Sequence, residues 1–253
     1  MSVSGKISQI AGLATYPTNL MWIAVNAMVA RKFWRDELSK QSWLNNYRAC
    51  EFTSELTYTH APYWWHSFKN MREDVRDYLE LGSWEGQSSV FAGWLFPGAK
   101  ITAVDWFANA RASERFDRNT ASLSSRLEKI RGTTVDILMR FAREGRTFDF
   151  VYVDADHRFD GVLLDTILSW PLLRKGGYLV WDDYLWTHPA VPHLNPKRAI
   201  DAWLAARRDG IDVVLAGHQV RVQKIADDTQ ITDMAYWNEL RFDHRQSSQY
   251  HQQ

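Results

Sequence analysis

Four short apolar runs, at residues 78–81 (YLEL), 101–104 (ITAV), 148–153 (FDFVYV) and 178–181 (YLVW), alternate with longer stretches whose apolar residues recur at helical spacing. Runs this short suit strands buried on both faces, which read as near-continuous apolar segments. Between them the helical period shows in Leu123, Leu127 and Ile130, then Val135, Leu138, Met139 and Phe141, and later Val162, Leu163, Thr166, Ile167 and Trp170. Such repetition predicts a doubly wound α/β domain with a Rossmann-like, mostly parallel sheet. Arg174, Lys175, Gly176 and Gly177 predict a tight turn into the last of these runs, and Asn195-Pro196 predicts the start of a helix through Arg208, stopped by Gly210. Residues 213–225 then read as two strands sharing a turn at Gly217 and His218, which adds a C-terminal antiparallel strand.

The chain has 253 residues and 45% apolar content, enough for one large domain or a domain with an appendage. Thirty basic residues balance thirty acidic ones, so nothing resembles the electrostatic footprint of a nucleic-acid binder. One cysteine, Cys50, cannot staple the fold and reads as a small packed residue; with no signal-like opening, a cytoplasmic location is expected. The organisation expected is a helical, aromatic N-terminal extension at residues 1–77, the α/β domain at 78–225 and a polar tail at 226–253. In the extension, residues 20–30 (LMWIAVNAMVA) predict a helix about 16 Å long, roughly half a bilayer's hydrocarbon thickness. Such a helix cannot span a membrane; packing on the domain or on a second subunit is expected, which suggests a homo-oligomer. Residues 52–68 hold Tyr58, Tyr63, Trp64, Trp65 and Phe68, either packed or roofing a pocket.

The stretch YLELGSWEGQSS at residues 78–89 runs a strand into a glycine-bearing turn, and KITAVDWF delivers Asp105 to the end of the next strand. Ligands of such sheets lie beyond the carboxyl ends of the strands. Gly82 and Gly86 would let backbone approach one, with Ser83 and Ser88 beside them, and Asp105, followed by Trp106, could accept hydrogen bonds from ribose hydroxyls. Gly82 and Gly86 lack the spacing of a pyrophosphate-binding turn, which disfavours a dinucleotide. Glu80 with Asp105 suits a cofactor bearing ammonium, carboxylate and ribose groups, and S-adenosylmethionine fits. Thr133 and Thr134 would lie beside its adenine.

A second constellation gathers at the next two strand ends. Asp154, Asp156 and His157 close FDFVYVDADH, and Asp182 and Asp183 close YLVWDD. One crossover helix between successive strands would bring these acids to one rim, where oxygen ligands can hold a hard divalent cation, most simply Mg2+. Asp156 is an alternative to Asp154.

At these residues the chain resembles the class I S-adenosylmethionine-dependent methyltransferases, specifically the metal-dependent O-methyltransferases acting on catechols, caffeoyl-CoA, macrolide sugars and aminocoumarins. The similarity spans residues 78–225. It implies that Asp154, Asp182 and Asp183 hold the metal, that Asp154 also borders the cofactor, and that His157 is the general base. The run PKRAIDAWLAARRDGIDVVLAGHQVRVQK also resembles a bacterial group that need not use metal. The function expected is methyl transfer to a hydroxyl of a small-molecule acceptor, a sugar or natural product, with His188 and His193 as alternative bases or lid residues. Rival expectations are a metal-independent N-, C- or O-methyltransferase and a non-catalytic cofactor-binding partner.

Overall fold

The computed structural model describes residues 45, 47–53, 60–186, 191, 194–207, 210–216 and 218–227. The apolar segment at 20–30, Tyr58, His188, His193, Arg208, Gly217 and the tail from 228 lie outside the described residues. The elements in chain order are α1 (Ala61–Phe68), β1 (Asp77–Leu81), α2 (Gln87–Leu95), β2 (Lys100–Asp105), α3 (Ala110–Asn119), β3 (Leu127–Arg131), α4 (Thr134–Glu144) and β4 (Phe148–Val153). They continue with α5 (Phe159–Ser169), β5 (Leu173–Trp181), α6 (Pro196–Ala206), β6 (Ile211–Ala216) and β7 (Val220–Lys224). The seven strands form one sheet in the order β3-β2-β1-β4-β5-β7-β6. β1 to β5 pair in parallel and β7 runs antiparallel to both β5 and β6, so the fold is the doubly wound sheet expected from the apolar runs.

Two local expectations are corrected. Leu127 and Ile130 belong not to a helix but to β3, a sheet-edge strand of sequence LEKIR whose residues are mostly half-buried. An edge strand has one neighbour and does not need a continuous apolar run, so its two apolar residues three positions apart mimic a helical face. The glycines at 176 and 177 do not precede β5 but lie within it, at a register shift against β4. Gly176 takes φ +85°, and a Cβ on Gly177 would come within 2.7 Å of the Asp149 carbonyl oxygen. A bulge admits this backbone and bends the strand.

The sheet is covered on both faces. On one, Leu138, Phe141, Trp170, Trp203 and Ile200 from the helices pack on Leu79, Val151, Leu179 and Trp181. On the other, α1 inserts Trp64 and Phe68 among Tyr78, Phe91, Phe96, Phe150 and Tyr152. Trp64 is 2% exposed and makes edge contacts to Phe68, Phe91 and Tyr152, so Trp64 and Phe68 belong to the core, while Tyr63 and Trp65 are half-buried. The same helix is pinned to the far end of the chain: Trp64 Nε1 donates to Gln219 Oε1 at 2.7 Å, and the buried Arg221 donates to the Tyr63 carbonyl and Ser67 hydroxyl. No helix among the described residues is long and apolar enough to cross a membrane.

Candidate active site

The carboxyl ends of β1, β2, β4 and β5 meet at one rim, and the backbone there is unusual. Trp84, Phe107 and Asp183, which follow β1, β2 and β5, are the non-glycine residues at positive φ among those described (43°, 45° and 56°). Backbone strain of this kind costs on the order of 1–3 kcal/mol per residue and collects where a site must be shaped. A small cavity opens at this rim between the β1–α2 turn and the tips of β4 and β5. Gly82, Ser83, Trp84 and Ser88 line one side, and Asp154, Asp182, Tyr152 and His60 line the other.

The glycines also let the turn fit against the rest of the protein. Gly82 is at φ +88° and a Cβ there would lie 2.1 Å from the Asp154 carbonyl oxygen, while one on Gly86, at φ +80°, would lie 2.8 Å from Thr120 Cγ2. Both positions let the turn pack against its own protein neighbours. Asp105 organises the same turn: its carboxylate accepts from the backbone N–H groups of Ser83 and Trp84, both at 2.9 Å, and of Phe107 at 2.6 Å. A carboxylate has about four acceptor positions, so about one is left to face outward. Trp106, 69% exposed, and Trp84, 48% exposed, stand on either side.

Glu80 lies behind the turn, fully buried, and accepts from the Ser88 hydroxyl and from Ser89 Oγ at 2.6 Å. Its route to the cavity is through Ser88. Burial pushes its pKa up to about 7, against the opposing pull of the two serine hydroxyls and with the Asp105 charge adding to the rise. With the folded value above the ordinary 4.5, the folded chain holds the extra proton between those pH values. Stability from this group is therefore complete below about pH 4.5 and lost as pH rises through 7, about 3 kcal/mol in all. Urea unfolding of Glu80→Gln across this window should show a flatter pH dependence than the parent; parallel curves would refute the assignment.

Thr133 and Thr134 serve the fold. Thr133 caps α4, accepting from the Asp136 N–H at 3.2 Å, and Thr134 Oγ1 donates to Asp165.

The acids at the tips of β4 and β5 are brought together, but not as one trio of ligands. Asp154, His157 and Asp183 present ligand atoms within 4.8 Å of one another, and so, separately, do His60, Asp182 and His218. His157 Nε2 is 2.6 Å from Asp183 Oδ2. Tyr152, whose hydroxyl donates to Asp182 Oδ2 at 2.7 Å and is 3.3 Å from Asp154 Oδ2, stands between the two sets. Asp156 turns away and pairs with Arg158 at 2.6 Å.

The charges follow from these contacts. Burial, then the neighbouring Asp182, Asp183 and Glu80 charges, pushes Asp154 well above the usual carboxylate range. Burial alone would also lift Asp182, but the adjacent His60 and His218 imidazoles and the Tyr152 hydroxyl hold it well below that range. The hydrogen bond to Asp183 raises His157 above its ordinary value, although burial opposes it.

Sequence reasoning missed Glu85, His60, Tyr152 and His218. Glu85 is 2% exposed and accepts from Thr53 N–H, Thr53 Oγ1 and Arg115, tying residues 51–53 over the turn. Asn119 adds a second tie, accepting from the Glu51 N–H at 2.8 Å. Cys50 is half-buried, its thiol 3.6 Å from the Asn119 carbonyl and its pKa raised by burial.

Residues 79–184, the segment that builds this rim, match a family model described as a methyltransferase domain. An uncharacterized protein of Acanthamoeba polyphaga mimivirus is 26% identical over 136 residues, 49% of this chain and 59% of the viral protein, so the match spans less than two thirds of that relative. Among solved structures, an O-methyltransferase from Bacillus cereus in complex with SAH is similar at TM-score 0.58 and 19% identity, over 81% of this chain and 99% of the other. MycE, a methyltransferase from the mycinamycin biosynthetic pathway in complex with Mg and SAH, is similar at TM-score 0.55 and 19% identity, over 74% of this chain and 54% of its own. An SAH-bound methyltransferase from Podospora anserina gives 0.54 and 18%, over 73% and 86%. At these identities the structures speak to the fold.

Proposed function

We propose that this chain is an S-adenosylmethionine-dependent O-methyltransferase that methylates a hydroxyl of a small molecule, a reading supported by the match of residues 79–184 to a methyltransferase-domain model. The observation that carries this reading is the coincidence, at one rim, of the cavity beside the glycine turn and a cluster of carboxylates paired with histidine. Ser83, Ser88, Asp105 and Trp106 are the groups nearest to hold the cofactor, which supplies a methyl group on a cationic sulfur. The acceptor hydroxyl would lie toward His157, beside an open surface depression that His157, Trp186 and Leu194 line.

Methyl transfer from sulfur to oxygen releases the hydroxyl proton, and His157 is placed to take it. With His157 Nε2–H donating to Asp183, the other ring nitrogen is left to receive the proton, and the aspartate stabilises the imidazolium that results. The donor set also fits a divalent cation: half-buried Asp154 stands among like charges with no cationic side chain paired to it among the described residues, the situation a bound ion would relieve. Such an ion, held by Asp154 and Asp183, would lower the pKa of the acceptor hydroxyl and fix its position. The closed His157–Asp183 pair at 2.6 Å favours a second reading, a metal-independent transferase in which histidine alone removes the proton.

Calorimetry with S-adenosylmethionine and its demethylated product tests the cofactor, and no uptake of either would overturn the proposal. Transfer of a labelled methyl group to a panel of sugars, phenols and polyketides, before and after exhaustive chelation, then separates the two routes. His157→Ala should lower turnover by about 100-fold while sparing cofactor affinity. Unchanged turnover would exclude it as the base.

A further inference from the structure

Two histidines from opposite ends of the described chain converge on Asp182. His60 precedes α1, His218 lies in the turn between β6 and β7, and their rings are 5.3 Å apart. His60 Nε2 is 3.7 Å from Asp182 Oδ1 and His218 Nδ1 is 3.5 Å from the same oxygen. Those separations are long for charged hydrogen bonds, which close to about 2.7–2.9 Å. They match the spacing of atoms that share an ion: ligands about 2.1 Å from a tetrahedral centre stand about 3.4 Å from one another. His218 Nδ1 is a buried nitrogen with no hydrogen-bond partner among the described residues. The neighbouring His157–Asp183 pair, closed to 2.6 Å, shows how an imidazole and a carboxylate settle at this rim when they bond directly.

We propose that His60, Asp182 and His218 form a binding site for a borderline transition-metal ion of the zinc and cobalt class, distinct from the carboxylate set at Asp154 and Asp183. Two imidazoles and one carboxylate are the donors such ions take, whereas magnesium prefers oxygen. The three ligand atoms lie within 4.8 Å of one another. The surrounding shell is built to hold the carboxylate still. Tyr152 donates to Asp182 Oδ2, and Gln219 Nε2 lies 3.4 Å from the Tyr152 hydroxyl while its Oε1 accepts from Trp64. Partners of this kind orient metal ligands. Asp182 Oδ1, which also accepts from the Asp183 backbone N–H at 2.8 Å, faces both histidines with its remaining lone pair. Three protein ligands leave a fourth position open, and since His60 and Asp182 line the cavity at the rim, that position faces bound water or an oxygen of a bound molecule.

The inference rests on this geometry and not on methyl transfer. The full-length chain, stripped of metal and free of S-adenosylmethionine, is titrated with Co2+ while visible absorption is followed, and the Zn2+-loaded chain is examined by X-ray absorption. One ion per chain with two imidazole ligands is expected. His60→Ala and His218→Ala should each weaken Co2+ by at least about 100-fold, since loss even of a supporting group costs about 10–100-fold. His157→Ala should leave Co2+ affinity in place. No binding, fewer than two imidazoles in the unaltered chain, affinity indifferent to both variants, or loss on His157→Ala would overturn the site. The absorption measurement needs no variant, so a misfolded substitution does not blunt the test. Cofactor affinity measured in parallel lets either reading fail alone.

Discussion

Gly82→Ala should leave little folded protein. The residue sits at φ +88°, and the added methyl carbon would lie 2.1 Å from the Asp154 carbonyl oxygen and 2.7 Å from Ala155 Cα, both backbone atoms that cannot swing aside. The left-handed conformation costs about 1–2 kcal/mol for a residue with a side chain, and overpacking against a strand adds roughly 1–3 kcal/mol. Together these approach the lower end of the roughly 5–15 kcal/mol that holds a domain folded. Gly176→Ala is the matched control: its φ is +85°, but its Cβ would meet nothing within 4 Å. It should cost only the conformational part. Chemical unfolding of the two variants checks the difference, and equal losses would show that the contact with the β4 tip is unimportant.

Asp182→Ala should bring methyl transfer down by roughly 10²–10³-fold, the range seen when one preorganised polar group is removed from a reacting site. The side chain is the anionic hub of the rim, accepting from Tyr152 and lying beside two imidazoles, and its truncation leaves the Tyr152 hydroxyl without its acceptor. Asp182→Asn keeps the volume and an acceptor for Tyr152 but removes the charge. If charge is what matters, it should lose nearly as much activity as Asp182→Ala and, since the neighbouring imidazoles hold the folded carboxylate charged, it should also unfold at a lower denaturant concentration than the parent at neutral pH. A decrease of less than tenfold in kcat/KM for both variants would remove Asp182 from the reaction.

Much of this arrangement can be read from residue order, and the parts that cannot share a cause. β1, β2, β4 and β5 announce themselves because strands covered on both faces must be apolar almost throughout. β3 hides because an edge strand tolerates Glu128 and Lys129. Asp154, His157, Asp182 and Asp183 are visible because strand ends in this topology converge on one rim. His60 and His218 are invisible to the same reasoning, being 158 positions apart in sequence, and only the packing of α1 beneath the β5–β7 pair brings them together. The side proposed to hold the cofactor is legible as a place more than as a set of contacts. Asp105, Glu80, Thr133 and Thr134 spend most of their hydrogen-bonding capacity on the protein itself.

Reversal of β7 relative to β5 has a further consequence. Val220 pairs with Trp181, so the antiparallel strand begins where its parallel neighbour ends, and the hairpin bend preceding it is delivered to the reactive edge of the sheet. His218 and Gln219 at that bend reach Asp182 and Trp64, so a change there alters the rim without touching the hydrogen-bonded ladder on either side. The lining of this rim can therefore vary at the hairpin while the parallel scaffold stays unchanged.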